Sequence, residues 1–158
     1  MKYTMRNTVV CIIASLFFPF SLSAEGSSGI TIRPHLGLGN LDGEASQYAG
    51  LRLLLVANET KRYGFELTRI HTRETNYVAA GIVLEARAHG WFNASIGTIG
   101  YFDQGQAGHN YPGLMANLGW EPTTTSAFKP FVTVRFDTIF ADKTLNGISL
   151  SAGLAASF

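Results

Sequence analysis

The sequence predicts an all-β fold, an antiparallel up-and-down β-barrel of eight strands built to cross a membrane. Three observations carry that expectation. Two-faced runs of about ten residues recur along the chain with the period-2 alternation of strands, and no window holds the apolar spacing of an amphipathic helix over three turns. The polar face of those runs is poor in Lys and carries Arg and carboxylates in near balance. The aromatic residues collect where the runs begin and end rather than in their middles.

The first 24 of the 158 residues read as a secretory leader rather than as part of the fold. Lys2 and Arg6 give a positive start, Val9 to Phe20 form an apolar run interrupted only by Ser15 and Pro19, and Ser21-Leu22-Ser23-Ala24 places small residues before a cut after Ala24. The run is too short to span a bilayer as a helix. The barrel domain is then residues 25–158, a length that fits one domain. Setting the leader aside leaves ten basic against eleven acidic residues, and the only cysteine, Cys11, goes with it. An exported chain without disulfides must hold itself together by other means. Its near-neutral balance argues against a nucleic-acid partner, which would want a basic face.

The eight expected strands are Ile30–Gly39, Ala49–Ala57, Tyr63–Ile70, Tyr77–Ala88, Phe92–Tyr101, Gly113–Trp120, Phe131–Phe140 and Ile148–Phe158. Turn-forming residues fill the gaps, among them Asp42-Gly43, Asn58-Glu59-Thr60, His89-Gly90, Glu121-Pro122 and Asn146-Gly147. If both termini lie on one side, the first, third, fifth and seventh gaps share the opposite rim. On the whole they are the longer ones, the asymmetry of membrane barrels, although the gap from Glu121 to Ala127 blurs it. Pro34 cannot donate to a strand ladder, which makes it a candidate bulge in the first run.

Alternation alone does not say which face is inside, because a soluble lipocalin-like barrel alternates too, with its apolar face inward. The charges decide for the opposite arrangement. Residues 25–158 hold only three Lys, all in or beside gaps, whereas the strand polar faces carry Arg33, Arg52, Arg87 and Arg135 against Glu66, Glu85 and Asp137. Paired charges of this kind suit a narrow lumen, where an unpaired one costs several kcal/mol. The aromatics point the same way. Tyr48, Tyr77, Tyr101, Phe102, Tyr111 and Phe140 mark one rim, and Tyr63, Trp91, Phe92, Trp120, Phe128, Phe131 and Phe158 the other, as interfacial belts would. An eight-stranded barrel is just wide enough for its own side chains to fill, so no wide channel is expected.

The chain closes on GISLSAGLAASF, with apolar Ile148, Leu150, Ala152, Leu154, Ala156 and Phe158 at alternate positions. This ending resembles the C-terminal strand of bacterial outer-membrane β-barrel proteins, and the plan of residues 25–158 is similar to the small eight-stranded members of that class. The resemblance implies location in the outer membrane of a Gram-negative cell, contact with outer-membrane lipids and lipopolysaccharide, and a monomeric barrel. It also implies recognition by the barrel-assembly machinery through a signal that includes Leu150, Leu154 and Phe158.

Chemistry is harder to find. The lipid A 3-O-deacylases carry a His-x-Ser pair, but the four histidines here read His35-Leu-Gly, His71-Thr-Arg, His89-Gly-Trp and His109-Asn-Tyr. The lipid A palmitoyltransferases use an Asp-Ser pair, which this chain lacks. No metal-ligand spacing, phosphate-cradling loop or other cofactor motif is present, so neither metal nor cofactor is expected. The most polar outer gap, His71-Thr72-Arg73-Glu74, together with His109, is the candidate for contact with headgroups, sugars or ions. A structural or surface-interaction role is therefore expected, with a lipid-modifying enzyme and a secreted lipocalin-like binder as the alternatives.

Overall fold

Eight alternating runs become eight strands, each hydrogen-bonded to its neighbours in sequence, and the last returns to the first. The computed structural model describes residues 29–58, 60–87, 91–105, 108–123 and 127–158. The expected leader and His89 lie outside them. The strands are β1 (Ile30–Leu41), β2 (Glu44–Val56), β3 (Lys61–His71), β4 (Asn76–Arg87), β5 (Phe92–Asp103), β6 (Asn110–Trp120), β7 (Phe128–Phe140) and β8 (Thr144–Ser157). They form one closed antiparallel barrel in the order β1 to β8.

Register fixes the shape. Following Cα partners from Ile30 through Leu55, Tyr63, Leu84, Ile96, Ala116, Phe136 and Ile148 leads back to β1 at Asn40, a stagger of ten residues per circuit. With eight strands, that shear corresponds to a tilt of about 40°. Strands of 11 to 14 residues are then long enough to cross a hydrocarbon layer. Closure is completed at the termini, where Ile30 N–H donates to Phe158 O at 3.1 Å and Phe158 N–H to Ile30 O at 3.0 Å. In lipid, such pairing is obligatory, since no water serves an unpaired backbone group.

Two local expectations are corrected. Pro34 makes no bulge. The β1–β2 ladder runs unbroken through Pro34 and Leu51, while the β1–β8 ladder lapses at Arg33 and Pro34 and resumes in the same register at His35 and Gly153. The missing N–H costs pairing, not alignment. Nor are the outer connections systematically longer. Leu41 and Glu44 are joined by Asp42 (φ 50°) and Gly43 (φ 95°) alone, a two-residue turn whose left-handed residues match the strand twist. Residues such as Asn40, Ala45 and Ser46, read as loop from their composition, stay in the ladder.

The barrel is apolar outside. Leu36 and Leu38 are each 71% exposed, and Leu51, Phe65, Leu67, Ile96, Leu114 and Leu118 continue the outer wall. The lumen buries Arg33, Arg52, Glu66, Glu85, Arg135 and Asp137. A water-soluble barrel of the lipocalin kind would reverse this distribution. Around the rim that holds the termini, Trp91, Phe92, Phe128 and Phe158 stand exposed, and Trp91 meets Trp120 edge to face at 5.8 Å. At the other rim the exposed aromatics of this kind among the described residues are Phe102 and Phe140. Tyr48, Tyr77 and Tyr101, expected in that belt, point into the lumen, as does Phe131 at the lower rim. Parity decides this: Tyr48 lies an even number of residues from Arg52 and so shares its face.

Candidate functional site

The lumen is where this chain concentrates its charge. Inward positions are every second residue, so β1 supplies Arg33, β2 Arg52, β3 Arg62 and Glu66, β4 Glu85 and Arg87, and β7 Arg135 and Asp137. Glu121, the residue after β6, adds a fourth carboxylate.

These groups form one continuous column of ion pairs. Starting below the loop-side rim, Arg135 donates to Asp137 at 2.8 Å and also pairs with Glu66. The other oxygen of Glu66 accepts from Arg52 Nε at 2.5 Å. Arg52 lies 3.7 Å from Glu85, which accepts from Arg33 at 2.5 Å. Arg33 also pairs with Glu121, which Arg87 reaches at 2.8 Å, and Arg62 stands 3.4 Å from Glu85 and 3.7 Å from Glu121. Arg33 and Arg52 are direct cross-strand neighbours, a like-charge placement that is unfavourable alone. Glu85 reaches both from across the lumen and removes the conflict. Arg33 further lies over the Phe131 ring, 5.6 Å from its centroid.

Nearer the loops the lumen changes character. Leu41, Ile70, Ile99 and Ile139 pack with Tyr48 and Tyr101 in a buried apolar cluster. Two contacts join the halves: Tyr101 donates its hydroxyl to Asp137 at 2.5 Å, and Arg135 lies 5.8 Å from the Tyr48 ring centroid. Between strands the fit is close. A Cβ on Gly50 would come within 2.7 Å of the His35 ring, so a larger residue there would displace it. A cavity of about 10 Å³ bordered by Arg33, His35, Arg52, Glu66, Arg135 and Ser151 has room for about one water. Among the described residues, side chains fill the lumen.

The structure places Arg33, Arg52, Glu66, Glu85, Arg87, Arg135 and Asp137 in the lumen, and with them Arg62 and Glu121, which the sequence reading missed. Arg62 precedes the expected start of the third strand, and Glu121 sits in a stretch read as turn because Pro122 follows. Continuing the alternation from Glu66 back to Arg62, and from Asn117 on to Glu121, would have found both.

The three described histidines stand in separate surroundings. His35 Nε2 is 3.4 Å from Thr68 Oγ1, and His35 Nδ1 is 3.4 Å from Arg33 O. Thr68 donates to Glu66 at 2.9 Å, so the acid holds the hydroxyl rather than orienting the imidazole, the reverse of a hydrolytic triad. His71 ends β3 and is exposed, with Arg73 and Glu74 in the turn beyond it. His109 precedes β6 and stacks on Tyr111 at 6.1 Å. β3 and β6 are not neighbours, so these two histidines stand apart on the rim. Among the described residues no three His, Cys, Asp or Glu side chains gather as a metal site requires. Leu150, Leu154 and Phe158 face outward and are exposed.

Similarity to known proteins lies in the fold. Neisserial surface protein A superposes with a TM-score of 0.58 at 13% identity, covering 82% of this chain and 96% of that one. The N-terminal β-barrel domain of OprF from Pseudomonas aeruginosa gives 0.54 at 13% identity, over 83% and 99%. The outer membrane protein OprG from Pseudomonas aeruginosa gives 0.50 at 9% identity, over 85% and 97%. No family model matches the sequence, and no curated protein matches it. The chain has the fold of the small eight-stranded outer-membrane β-barrels.

Proposed function

We propose that this protein is a monomeric integral barrel of the bacterial outer membrane. On this reading it braces the bilayer and presents its outer rim to lipopolysaccharide and the cell surface, and it neither passes solutes nor processes lipid. One observation carries the reading: an apolar outer wall surrounds a lumen filled by paired charges below and apolar side chains above. Such a wall suits hydrocarbon, and such a filling leaves solutes no route. The lipid-modifying alternative draws no support from His35, whose surroundings are closed and wrongly ordered, or from His71 and His109, which stand apart.

The barrel-assembly machinery is the proposed partner in biogenesis, reading β8 through Leu150, Leu154 and Phe158. Outer-membrane fractionation with heat-modifiable migration in detergent gels, followed by planar-bilayer recording, tests the whole proposal. Recovery in that membrane as a heat-modifiable, non-conducting species is expected. Solubility without detergent, or a stable ion-selective conductance, would overturn it. Deleting Phe158 or making Leu154→Asp should impair assembly more than any change in the outer turns.

A further inference from the structure

The outer wall is almost free of charge, and its exception is placed where a ligand would need it. Among the described residues, the outward positions of the eight strands carry no carboxylate and two permanent cations, Lys61 and Arg69. Lys61 opens β3 at the rim of the termini, where water and headgroups can serve it. Arg69 lies two residues inside the other end of β3, on the apolar band, flanked across the ladders by Ala49 and Val78. A cation on the lipid face destabilises a barrel increasingly with depth, so an unassigned one calls for a partner.

The polar groups closest along the ladders to Arg69 are neutral. It donates Nε–H to Asn76 Oδ1 at 2.9 Å, and no ion pair to it is formed among the described residues. His71 follows on the same face, between its register partners Gln47 of β2 and Asn76 of β4. Gln47, Arg69 and His71 are all exposed. An open groove of about 410 Å³ at this rim is lined by Gln47, His71 and Arg73, with apolar Leu38 and Ala45 on the lipid side; Arg69 does not line it but stands next to His71 on the same face of β3. Among the described residues, Nε–H is the only Arg69 donor in use, and the exposed side chains of His71 and Gln47 carry further donors. Arg73 adds a second fork above them, and Glu74 is the only carboxylate of that turn.

We infer that this outward island is a binding site for a phosphorylated glycolipid of the outer leaflet, with the lipid phosphate held by Arg69, His71 and Arg73. Planar guanidinium forks match phosphate oxygens two at a time. The apolar surface at Leu38 and Ala45 lies where the acyl chains of that lipid would run. The inference rests on the outer-membrane reading above.

The test uses the full barrel, extracted into mild detergent and incubated with bisphosphorylated lipid A or with the same lipid dephosphorylated, and retained lipid is counted by native mass spectrometry. Bisphosphorylated lipid is expected to be retained at least about ten-fold more tightly, a difference of about 1.4 kcal/mol. Arg69→Gln and His71→Gln should each abolish most of that preference, and Arg69→Lys should lose part of it by giving up the fork. Lys61→Gln, at the far rim, should leave it unchanged. Heat-modifiable migration verifies that each variant is folded. Equal retention of the two lipids, or a preference that survives Arg69→Gln, would overturn the site. Displacement of the retained lipid by an equal concentration of free inorganic phosphate would overturn its assignment to a lipid. Normal outer-membrane fractionation alongside a negative result would strike this inference alone, whereas loss of fractionation in the wild type would strike the reading it rests on.

Discussion

The two halves of the lumen are built on the same wall and held by different forces. Toward the termini, Glu66, Glu85 and Glu121 each satisfy two or more guanidinium groups. Toward the loops, Tyr48, Ile70, Ile99 and Ile139 fill space by shape. The charged half is directional: every member has a required position, and removing one strands its partners in a medium that solvates them poorly. The apolar half tolerates rearrangement and loses only contacts when trimmed. Fixed register and dense filling come from dividing these tasks along the barrel axis.

That contrast is sharpest at Glu66. Glu66→Ala leaves Arg52 and Arg135 short of their shared counter-ion and should cost about 3–5 kcal/mol in urea unfolding from lipid vesicles. Combining Glu66→Leu with Arg52→Leu removes both charges of one pair while Asp137 still holds Arg135, so the double change should cost less than Glu66→Ala alone. A double variant worse than the single one would show that the ion pair itself, rather than the stranded charge, dominates. In the apolar half, Ile139→Ala should cost about 2–4 kcal/mol by leaving a cavity beside Tyr101 and Leu41. That cost should not change with salt; a salt-dependent loss would mean the halves are not separate.

The sequence made the charged half far more legible than the apolar one. An Arg or Glu on a strand face in a chain nearly free of Lys announces an interior, and parity then places it, as with Arg33, Glu66 and Asp137. Tyrosines announce nothing so definite. Tyr48, Tyr77 and Tyr101 sit near strand ends, where both an interfacial belt and a lumen plug are chemically reasonable for an amphipathic ring. Only strand parity separates the two. For Tyr48 it is obscured because β2 begins earlier than its turn-like residues indicate, whereas Tyr77 and Tyr101 lie within the expected strands, an even number of residues from Glu85 and Ser95. Arg69 had the opposite fault. It lies on the apolar face of a run, where its charge is itself the signal.

Tyr101→Phe probes the seam between the halves. It keeps the ring in the apolar cluster and removes the 2.5 Å hydrogen bond to Asp137. Because Arg135 still donates to that carboxylate at 2.8 Å, the loss should fall near the lower end for a bond to a charged group, about 1.5 kcal/mol. A loss as large as that of Glu66→Ala would mean that Tyr101 belongs to the charged column rather than bordering it.

The smallest effect is expected where the same chemistry is moved outside. Lys143 donates to Asp42 at 2.9 Å and ties the β7–β8 turn to the β1–β2 turn, but its side chain is 79% exposed. Water already solvates both ions, salt screens them, and ordering the long Lys side chain offsets part of the attraction. Lys143→Ala should therefore change stability by no more than about 0.5 kcal/mol, with the remainder vanishing at high salt. At 2.9 Å this pair is scarcely longer than the 2.5 Å contact between Arg52 and Glu66. If the two substitutions cost the same, burial would not be what distinguishes the column, and the contrast between charged lumen and charged rim would fail.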